Sequence, residues 1–198
     1  IGLGSYGRPG NYFERQIARW TKQWRASPSD RIAALDTLAA WLPENMPADD
    51  GVVSIAHGDF RLGNMVFHPT EPRVVAILDW ELSTLGHPLA DLGFCVMPWH
   101  TAPDEYGGIL GLDLERRRLP AEAEFIARYY ASAIPTPPLQ PFHVAFALFR
   151  FSVIFIGIAD RARAGNAAAA NASEVAPLAE RFAARALEAI DGKHTFIV

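Results

Sequence analysis

The chain has 198 residues, half of them apolar and a fifth charged, as is typical of a globular domain with a sizeable core. Its net charge of −4 provides no basic surface of the kind that binds nucleic acid or anionic membranes, so we expect neither partner. Cys95 is the only cysteine, which excludes an intramolecular disulfide and suits a reducing compartment. No signal peptide is predicted, and we expect a cytoplasmic protein.

The N-terminal part of the chain predicts a loop followed by two helices. Residues 1–10 are rich in glycine and are expected to form a linker. We expect Asn11 to cap the first helix, with Glu14 reaching back to it as in a capping box. Apolar residues then recur at helical spacing and form one stripe of Phe13, Ile17, Trp20 and Trp24. A second helix is predicted from Asp30 to Leu42, where Pro43 should end it.

Short β-like segments follow a polar linker at residues 44–51. They are Val52–Ile55, Met65–Phe67 and Val74–Leu78. The turn residues Pro69–Pro72 separate the last two segments, which therefore predict a β-hairpin.

Helices are predicted for most of the remaining chain. Pro88 suits the first turn of a helix that runs towards Met97. Residues 98–119 are rich in glycine, proline and charge, and they predict a long irregular connection. Further helices are expected at 121–132, 141–164 and 174–190, separated by a proline-rich run at 135–141 and an alanine- and asparagine-rich run at 165–173. The predicted fold class is α+β, mostly helical with a small β-hairpin insert.

One predicted helix is apolar enough to raise the question of a membrane span. Residues 142–159 are almost wholly apolar and nearly long enough to cross a bilayer. Arg150 lies in the middle of this segment, where a guanidinium would be costly in hydrocarbon. We therefore predict a buried core helix.

Three motifs in the first half of the chain carry chemistry. They are HGDFRLGN at residues 57–64, LDWE at 78–81 and GHPLADLG at 86–93. Asp59 follows a short strand and a glycine, a position where catalytic side chains are often displayed. Asn64 precedes the next predicted strand, and Asp79 ends the strand after that.

These residue types suit phosphoryl transfer from ATP. One carboxylate must orient or deprotonate the attacking hydroxyl, and Asp59 is the candidate. Two oxygen ligands must hold Mg²⁺ against the triphosphate, and Asn64 and Asp79 offer an amide oxygen and a carboxylate. Protein kinases use the same order of Asp, Asn and Asp, but here glycine replaces the arginine of HRD and DWE replaces DFG. The pattern indicates a small-molecule kinase.

In this order the three motifs resemble those of the aminoglycoside phosphotransferase and choline kinase superfamily. The run from His57 to Leu92 is most similar to the phosphotransferase domain associated with acyl-CoA dehydrogenases, a branch understood to phosphorylate 4-hydroxyacyl-CoA thioesters. The resemblance implies a protein-kinase-like fold, with ATP and Mg²⁺ as cofactors and a small-molecule alcohol as substrate. Residues 11–198 would be the C-terminal catalytic lobe, and residues 1–10 the remnant of the linker between lobes.

The resemblance also implies a role for each motif residue. Asp59 would be the catalytic base, and Asn64 and Asp79 the magnesium ligands. His57 would be a scaffold residue that bonds backbone near the metal-binding segment, and Asp91 would brace the catalytic loop.

Other interpretations of the motif residues stay open. Arg61 matches no secure family position, and a phosphate or loop contact is plausible. Taken singly, Asp59 could be a turn former, Asp79 a strand terminator and Asp91 an ordinary helix residue.

The chain lacks the sequence features of a nucleotide-binding lobe. Residues 2–7 match GxGxxG, but no strand precedes them, so the context of a phosphate-binding loop is missing. The two lysines, Lys22 and Lys193, do not lie on predicted strands. We therefore expect the N-terminal lobe to be absent and the chain to be a fragment with little activity alone.

The acceptor is predicted mainly by resemblance. The later helices carry a mixture of acids and arginines that could form a wall for an anionic acceptor or could simply be solvated: Arg150, Arg161, Arg163, Arg181 and Arg185. A hydroxyacyl-CoA is the first expectation. The alternatives are an aminoglycoside kinase and a non-catalytic remnant or interaction module with the same fold.

Overall fold

Helices and two small antiparallel sheets make up the computed structural model, which describes residues 2–165 and 172–192. The helices are α1 (Tyr12–Ala26), α2 (Ala33–Glu44), α3 (Pro88–Cys95), α4 (Met97–His100), α5 (Leu114–Arg117), α6 (Glu122–Tyr130), α7 (Pro141–Arg163) and α8 (Ala172–Ile190). The strands are β1 (Ser54–Ala56), β2 (Met65–Phe67), β3 (Val74–Ile77) and β4 (Thr84–Gly86). The predicted α+β class, mostly helical with a hairpin insert, is confirmed.

Helix α7 forms the centre of the core. It packs against α8, α3, α1 and α2, and nearly all of its first sixteen side chains are buried. By length and composition it could cross a membrane, but 83% of its most apolar window is buried by the rest of the protein. It therefore occupies the predicted position of a core helix.

The stripe predicted for α1 is buried, but the predicted capping box is wrong. Asn11 has a left-handed backbone with φ of 47°, and its side chain makes no capping bond. A capping residue needs an extended backbone to direct its side chain at the first turn. Asn11 instead donates its backbone N–H to Asp49 Oδ2 at 2.9 Å, so a residue of the later linker fixes the start of the helix.

The predicted bounds of α2 are also wrong. The helix begins at Ala33 rather than Asp30, since Ile32 is still extended. It continues through Pro43, which lies in the last turn of the helix and lacks the N–H that another residue would have donated there. The N–H of Asn45 then closes the last turn on the Trp41 carbonyl at 3.1 Å.

The hairpin prediction is confirmed, and a second sheet accompanies it. Strands β2 and β3 pair antiparallel, with Met65 opposite Ile77. Strand β1 starts two residues later than predicted and pairs antiparallel with β4, which was not predicted. Only three residues long and ending in a glycine, β4 has too little alternation to be recognised from sequence.

The connection predicted at residues 98–119 is not wholly irregular. The end of α4 and all of α5 lie within it. Helix α8 begins at Ala172 rather than 174, and most of the alanine- and asparagine-rich run before it lies outside the described residues.

Candidate active site

The candidate site lies where the loop after β1 meets the end of β3. This catalytic loop, residues 57–64, ends in a single 3₁₀ turn that leads into β2. The N–H of Leu78 donates to the Asn64 carbonyl at 2.8 Å, which joins the loop to the residue before Asp79. The hairpin therefore brings the first two motifs together.

Asp59 and Asn64 are in direct contact. The Asn64 Nδ2 donates to Asp59 Oδ2 at 2.7 Å and to the Asp59 carbonyl at 2.8 Å. Asn64 is 6% exposed, so its amide is held in one orientation. Since its N–H groups point at Asp59, its Oδ1 is the atom left to face a cation.

Arg61 supplies a second donor to the same carboxylate. Its Nε lies 3.2 Å from Asp59 Oδ2. With both donors on Oδ2, the other carboxylate oxygen of Asp59 remains for a substrate hydroxyl. A carboxylate with one oxygen anchored and one free is suited to orient a hydroxyl and take its proton.

His57 holds the loop against the end of β3. Its Nδ1 accepts the Asp59 N–H at 3.1 Å, so the proton of a neutral ring is on Nε2, which lies 2.9 Å from the Leu78 carbonyl and donates to it. The ring is 2% exposed and packs on Trp80, with 4.6 Å between ring centroids. These contacts hold the backbone beside Asp79 in place. They correspond to the scaffold role that the resemblance implies for His57.

Asp91 lies beneath the loop at the first turn of α3. Its Oδ2 accepts the His57 N–H at 2.6 Å and its Oδ1 accepts the Gly58 N–H at 2.9 Å. Burial raises the pKa of Asp91 above its ordinary value, against the lowering by these two donors and by the charge of Arg150. One carboxylate thus fixes two consecutive peptide units of the loop.

Asp79 is linked to the other site residues through the hydrogen bonds of its neighbour Leu78. It follows β3 with a left-handed backbone of φ 66°, a conformation that is uncommon outside glycine. The bonds of Leu78 to Asn64 and to His57 set the position of this turn. Within the described residues no group of three or more His, Cys, Asp or Glu side chains could hold a metal. An amide oxygen and one carboxylate nevertheless fit Mg²⁺, which takes its other ligands from phosphates and water.

Two residues have a role beside the site that the sequence did not predict. Gly58 has φ of 86°, and a Cβ there would lie 2.8 Å from the Leu82 carbonyl, so the loop requires glycine at this position. Arg150 is 4% exposed, lies over the Phe94 ring at 5.4 Å, and lowers the pKa of nearby Asp91.

The sequence left open whether five arginines of the later helices line an acceptor wall or are solvated, and the structure gives four of them other contacts. Arg150 is buried in the core, and three others pair with acids: Arg163 with Asp160, Arg181 with Asp104 and Glu105, and Arg185 with Glu105 and Glu188. Ion pairing at these helix surfaces accounts for their position.

Comparisons with known proteins identify the family of the chain. The model of the phosphotransferase enzyme family, APH, matches residues 1–135. Among curated relatives, acyl-CoA dehydrogenase family member 11 of Gallus gallus is 38% identical over 193 residues, covering 95% of this chain and 25% of the relative. The probable acyl-CoA dehydrogenase IBR3 of Arabidopsis thaliana is 42% identical over 182 residues, covering 85% and 22%.

A further curated relative and a solved structure extend the similarity. Acyl-CoA dehydrogenase family member 10 of Mus musculus is 37% identical over 186 residues, covering 91% of this chain and 17% of the relative. A crystal structure from Ralstonia eutropha JMP134, provisionally named an aminoglycoside phosphotransferase, is 46% identical with a TM-score of 0.88. The match covers 96% of this chain and 58% of that one. The part that each of the three curated relatives shares with this chain is at most 25% of the relative's own length.

The family model covers well over half of the chain, and the solved neighbour has the same kinase-like architecture over almost all of it. The chain therefore belongs to the phosphotransferase enzyme family, APH, and has the helical, kinase-like fold of that family's catalytic region.

Proposed function

We propose that the chain is the catalytic part of a kinase that transfers the γ-phosphoryl group of ATP to a hydroxyl of a hydroxyacyl-CoA, with Mg²⁺ as cofactor. The observation that carries this proposal is the contact between Asp59 and Asn64, which prepares one group for the hydroxyl and one for a cation. The curated relatives are named as acyl-CoA dehydrogenases, which supports an acyl thioester as acceptor.

In the proposed reaction Asp59 binds the acceptor hydroxyl through the carboxylate oxygen that Asn64 and Arg61 leave free. It takes the hydroxyl proton as the oxygen forms a bond to the γ-phosphorus, while the bond to the β-phosphate oxygen breaks and ADP leaves. Asn64 and Asp79 would hold Mg²⁺, which neutralises charge on the phosphates when bound.

We propose that the nucleotide's remaining contacts come from residues outside this chain. The chain spans 58% of the solved neighbour, and the strand lysine and glycine-rich loop of kinases have no counterpart in the described residues. On this proposal the 198 residues alone bind ATP weakly. The enzyme is expected to be cytoplasmic and to act on a small molecule rather than on nucleic acid or membrane.

The test is Mg²⁺-dependent ADP release by the full-length gene product that contains this chain. Asp59→Asn should lower kcat by a factor on the order of 10² to 10⁴, because the base is lost while the shape is kept. Asp30→Asn, at an exposed position outside the site, is the matched control and should leave turnover unchanged. Full turnover in Asp59→Asn would refute the proposed base.

An aminoglycoside kinase is the second candidate, favoured by the provisional name of the solved neighbour. The same assay separates the two with a 4-hydroxyacyl-CoA and kanamycin as rival acceptors. ADP release with the thioester, lost in Asp59→Asn, supports the proposal. Release with kanamycin alone would establish the second candidate, and release with neither would favour a non-catalytic module.

A further inference from the structure

Tyr106 is held in a strained position close to the candidate base. It lies in the loop between α4 and α5 with φ of 60°, and 51% of it is exposed. A left-handed backbone costs a residue with a side chain roughly 1–2 kcal/mol relative to its ordinary conformation. Such strain persists where surrounding contacts enforce it, and it concentrates at functional sites.

The residue before Tyr106 anchors the loop to helix α8. Glu105 is 2% exposed and accepts hydrogen bonds from Arg181 Nε and Arg185 Nε, each at 2.9 Å. It also accepts the Ala102 N–H at 2.6 Å, which closes the loop on itself. Although burial alone would raise it, the pKa of Glu105 is lowered by these donors. The loop is thus fixed by two ion pairs of a buried carboxylate, while half of the neighbouring aromatic side chain stays open to solvent.

The Tyr106 ring is fixed on one side and available on the other. It packs edge-on against Phe151 and Phe155 of α7, with ring centroids 5.3 and 5.2 Å away. The Arg61 guanidinium carbon lies 5.8 Å from the ring centroid, within range of a cation–π contact. The ring therefore joins the α4–α5 loop to the catalytic loop.

Arg61 links this ring to the candidate base. Its Nε is used on Asp59, and its Nη1 packs over Gly63, where a Cβ would lie only 2.3 Å away. The side chain is 36% exposed. Within the described part of the chain the two terminal NH₂ groups of Arg61 donate to no protein acceptor, so they are available to an acceptor molecule.

We propose that Arg61 and Tyr106 form an acceptor subsite that binds the carbonyl oxygen and flanking acyl group of the substrate, while Asp59 holds its hydroxyl. This inference rests on the proposed function and names the part of the acceptor that the site recognises. The Arg61 NH₂ groups donate to the carbonyl oxygen, and the Tyr106 ring covers the apolar carbons beside it. A polycationic aminoglycoside would meet the Arg61 charge, so the subsite selects an acyl compound.

Steady-state kinetics of the full-length gene product with ATP and a 4-hydroxyacyl-CoA test the subsite. Tyr106→Gly removes the ring but suits the left-handed backbone, and Tyr106→Phe keeps the ring. Tyr106→Gly should raise the KM of the thioester about tenfold and leave the KM of ATP unchanged, whereas Tyr106→Phe should stay within about twofold of wild type. An unchanged thioester KM in Tyr106→Gly would overturn the inference.

Arg61→Gln gives the second kinetic test, with Arg128→Gln on exposed α6 as its matched control. Arg61→Gln should raise the thioester KM at least tenfold and also lower kcat, because Asp59 loses one donor. Arg128→Gln should change neither constant. A raised KM for ATP with an unchanged thioester KM would mean that Arg61 contacts phosphate instead, and it would overturn the subsite.

Equilibrium binding separates this inference from the proposed function. Calorimetry should show saturable binding of the thioester to wild type and to Asp59→Asn, and at least tenfold weaker binding to Tyr106→Gly. If Asp59→Asn keeps full turnover, the proposed base fails while the binding data still decide the subsite. If wild type binds no thioester, or binds kanamycin more tightly, the subsite is refuted even where Asp59→Asn is inactive.

Discussion

Protonation of His143 is expected to destabilise the fold under mildly acidic conditions. This ring lies in the first turn of α7 and is 2% exposed. Its Nδ1 accepts the Gln140 N–H at 2.9 Å, so a second ring proton would break the capping contact at the start of the core helix. Burial first, and then the charge of His87, lower the pKa of His143 from 6.5 to about 4, against the opposing effects of the Gln140 carbonyl, 3.3 Å from Nδ1, and of Asp50.

The size and the sign of the effect on the free energy of unfolding follow from this pKa. The unfolded and folded values, 6.5 and about 4, lie about 2.5 pH units apart, and each unit is worth about 1.4 kcal/mol, so the neutral ring contributes about 3 kcal/mol. Because the folded pKa is depressed, the unfolded state binds the proton first as pH falls. The contribution is complete above pH 6.5 and is lost progressively as pH falls to about 4.

The variant His143→Gln isolates this effect. Glutamine at the same helix position retains an acceptor for the Gln140 N–H and cannot titrate. In urea unfolding followed by tryptophan fluorescence, the wild-type free energy of unfolding should fall by about 3 kcal/mol more than that of His143→Gln between pH 7 and pH 4. His68→Gln, in the hairpin turn, controls for the loss of a histidine.

Two results would refute the reasoning about His143. One is an imidazole titration, followed by NMR, with a midpoint near 6.5 rather than near 4. The other is an equal loss of stability in wild type and His143→Gln over the same pH range. Either result would mean that the folded protein accommodates the charged ring.

Three further predictions concern the loops that build the site. Gly58→Ala should lower kcat at least tenfold and the stability by about 1–3 kcal/mol, measured by kinetics and urea unfolding, because its Cβ would lie 2.8 Å from the Leu82 carbonyl. Glu105→Gln should cost about 1–3 kcal/mol in urea unfolding, because its buried carboxylate accepts from two arginines. Asp104→Asn, with a side chain 71% exposed, should leave stability nearly unchanged, and equal losses in the two variants would contradict the anchoring role of Glu105. Asp91→Asn should lower kcat at least tenfold, since an amide offers only one acceptor to the two loop N–H groups; unchanged kinetics would remove it from loop bracing.

The parts of the fold that depend on residues close together in the sequence were predictable from it. The hairpin follows from two β-like segments joined by proline-containing turn residues, and the bounds of β2 match the predicted Met65–Phe67. Asp59 and Asn64 are five residues apart, so their contact is formed within one loop. Contacts between residues so close in the sequence can be recognised from the spacing and the types of those residues.

The features that were missed depend on residues far away in the chain. Asn11 takes its left-handed conformation beside Asp49, to which its N–H donates. Strand β4 exists because β1 pairs with it, although its own three residues give no β pattern. The contact of Tyr106 with Arg61 joins two loops that the sequence does not place together. Tertiary contacts of this kind override local propensity.

The shape of the catalytic loop is determined by the helical core more than by the loop itself. Residues 57–64 contain a single turn of regular structure, so other groups must fix their backbone. Asp91 does so from α3, and α3 is held against α7 where a Cβ on Gly93 would lie 2.6 Å from the His143 carbonyl. The path from core to loop therefore runs from α7 through α3 to the peptide units next to Asp59. A substitution that disturbs the packing along this path would displace the candidate base Asp59, although the substituted residue itself makes no contact with the substrate.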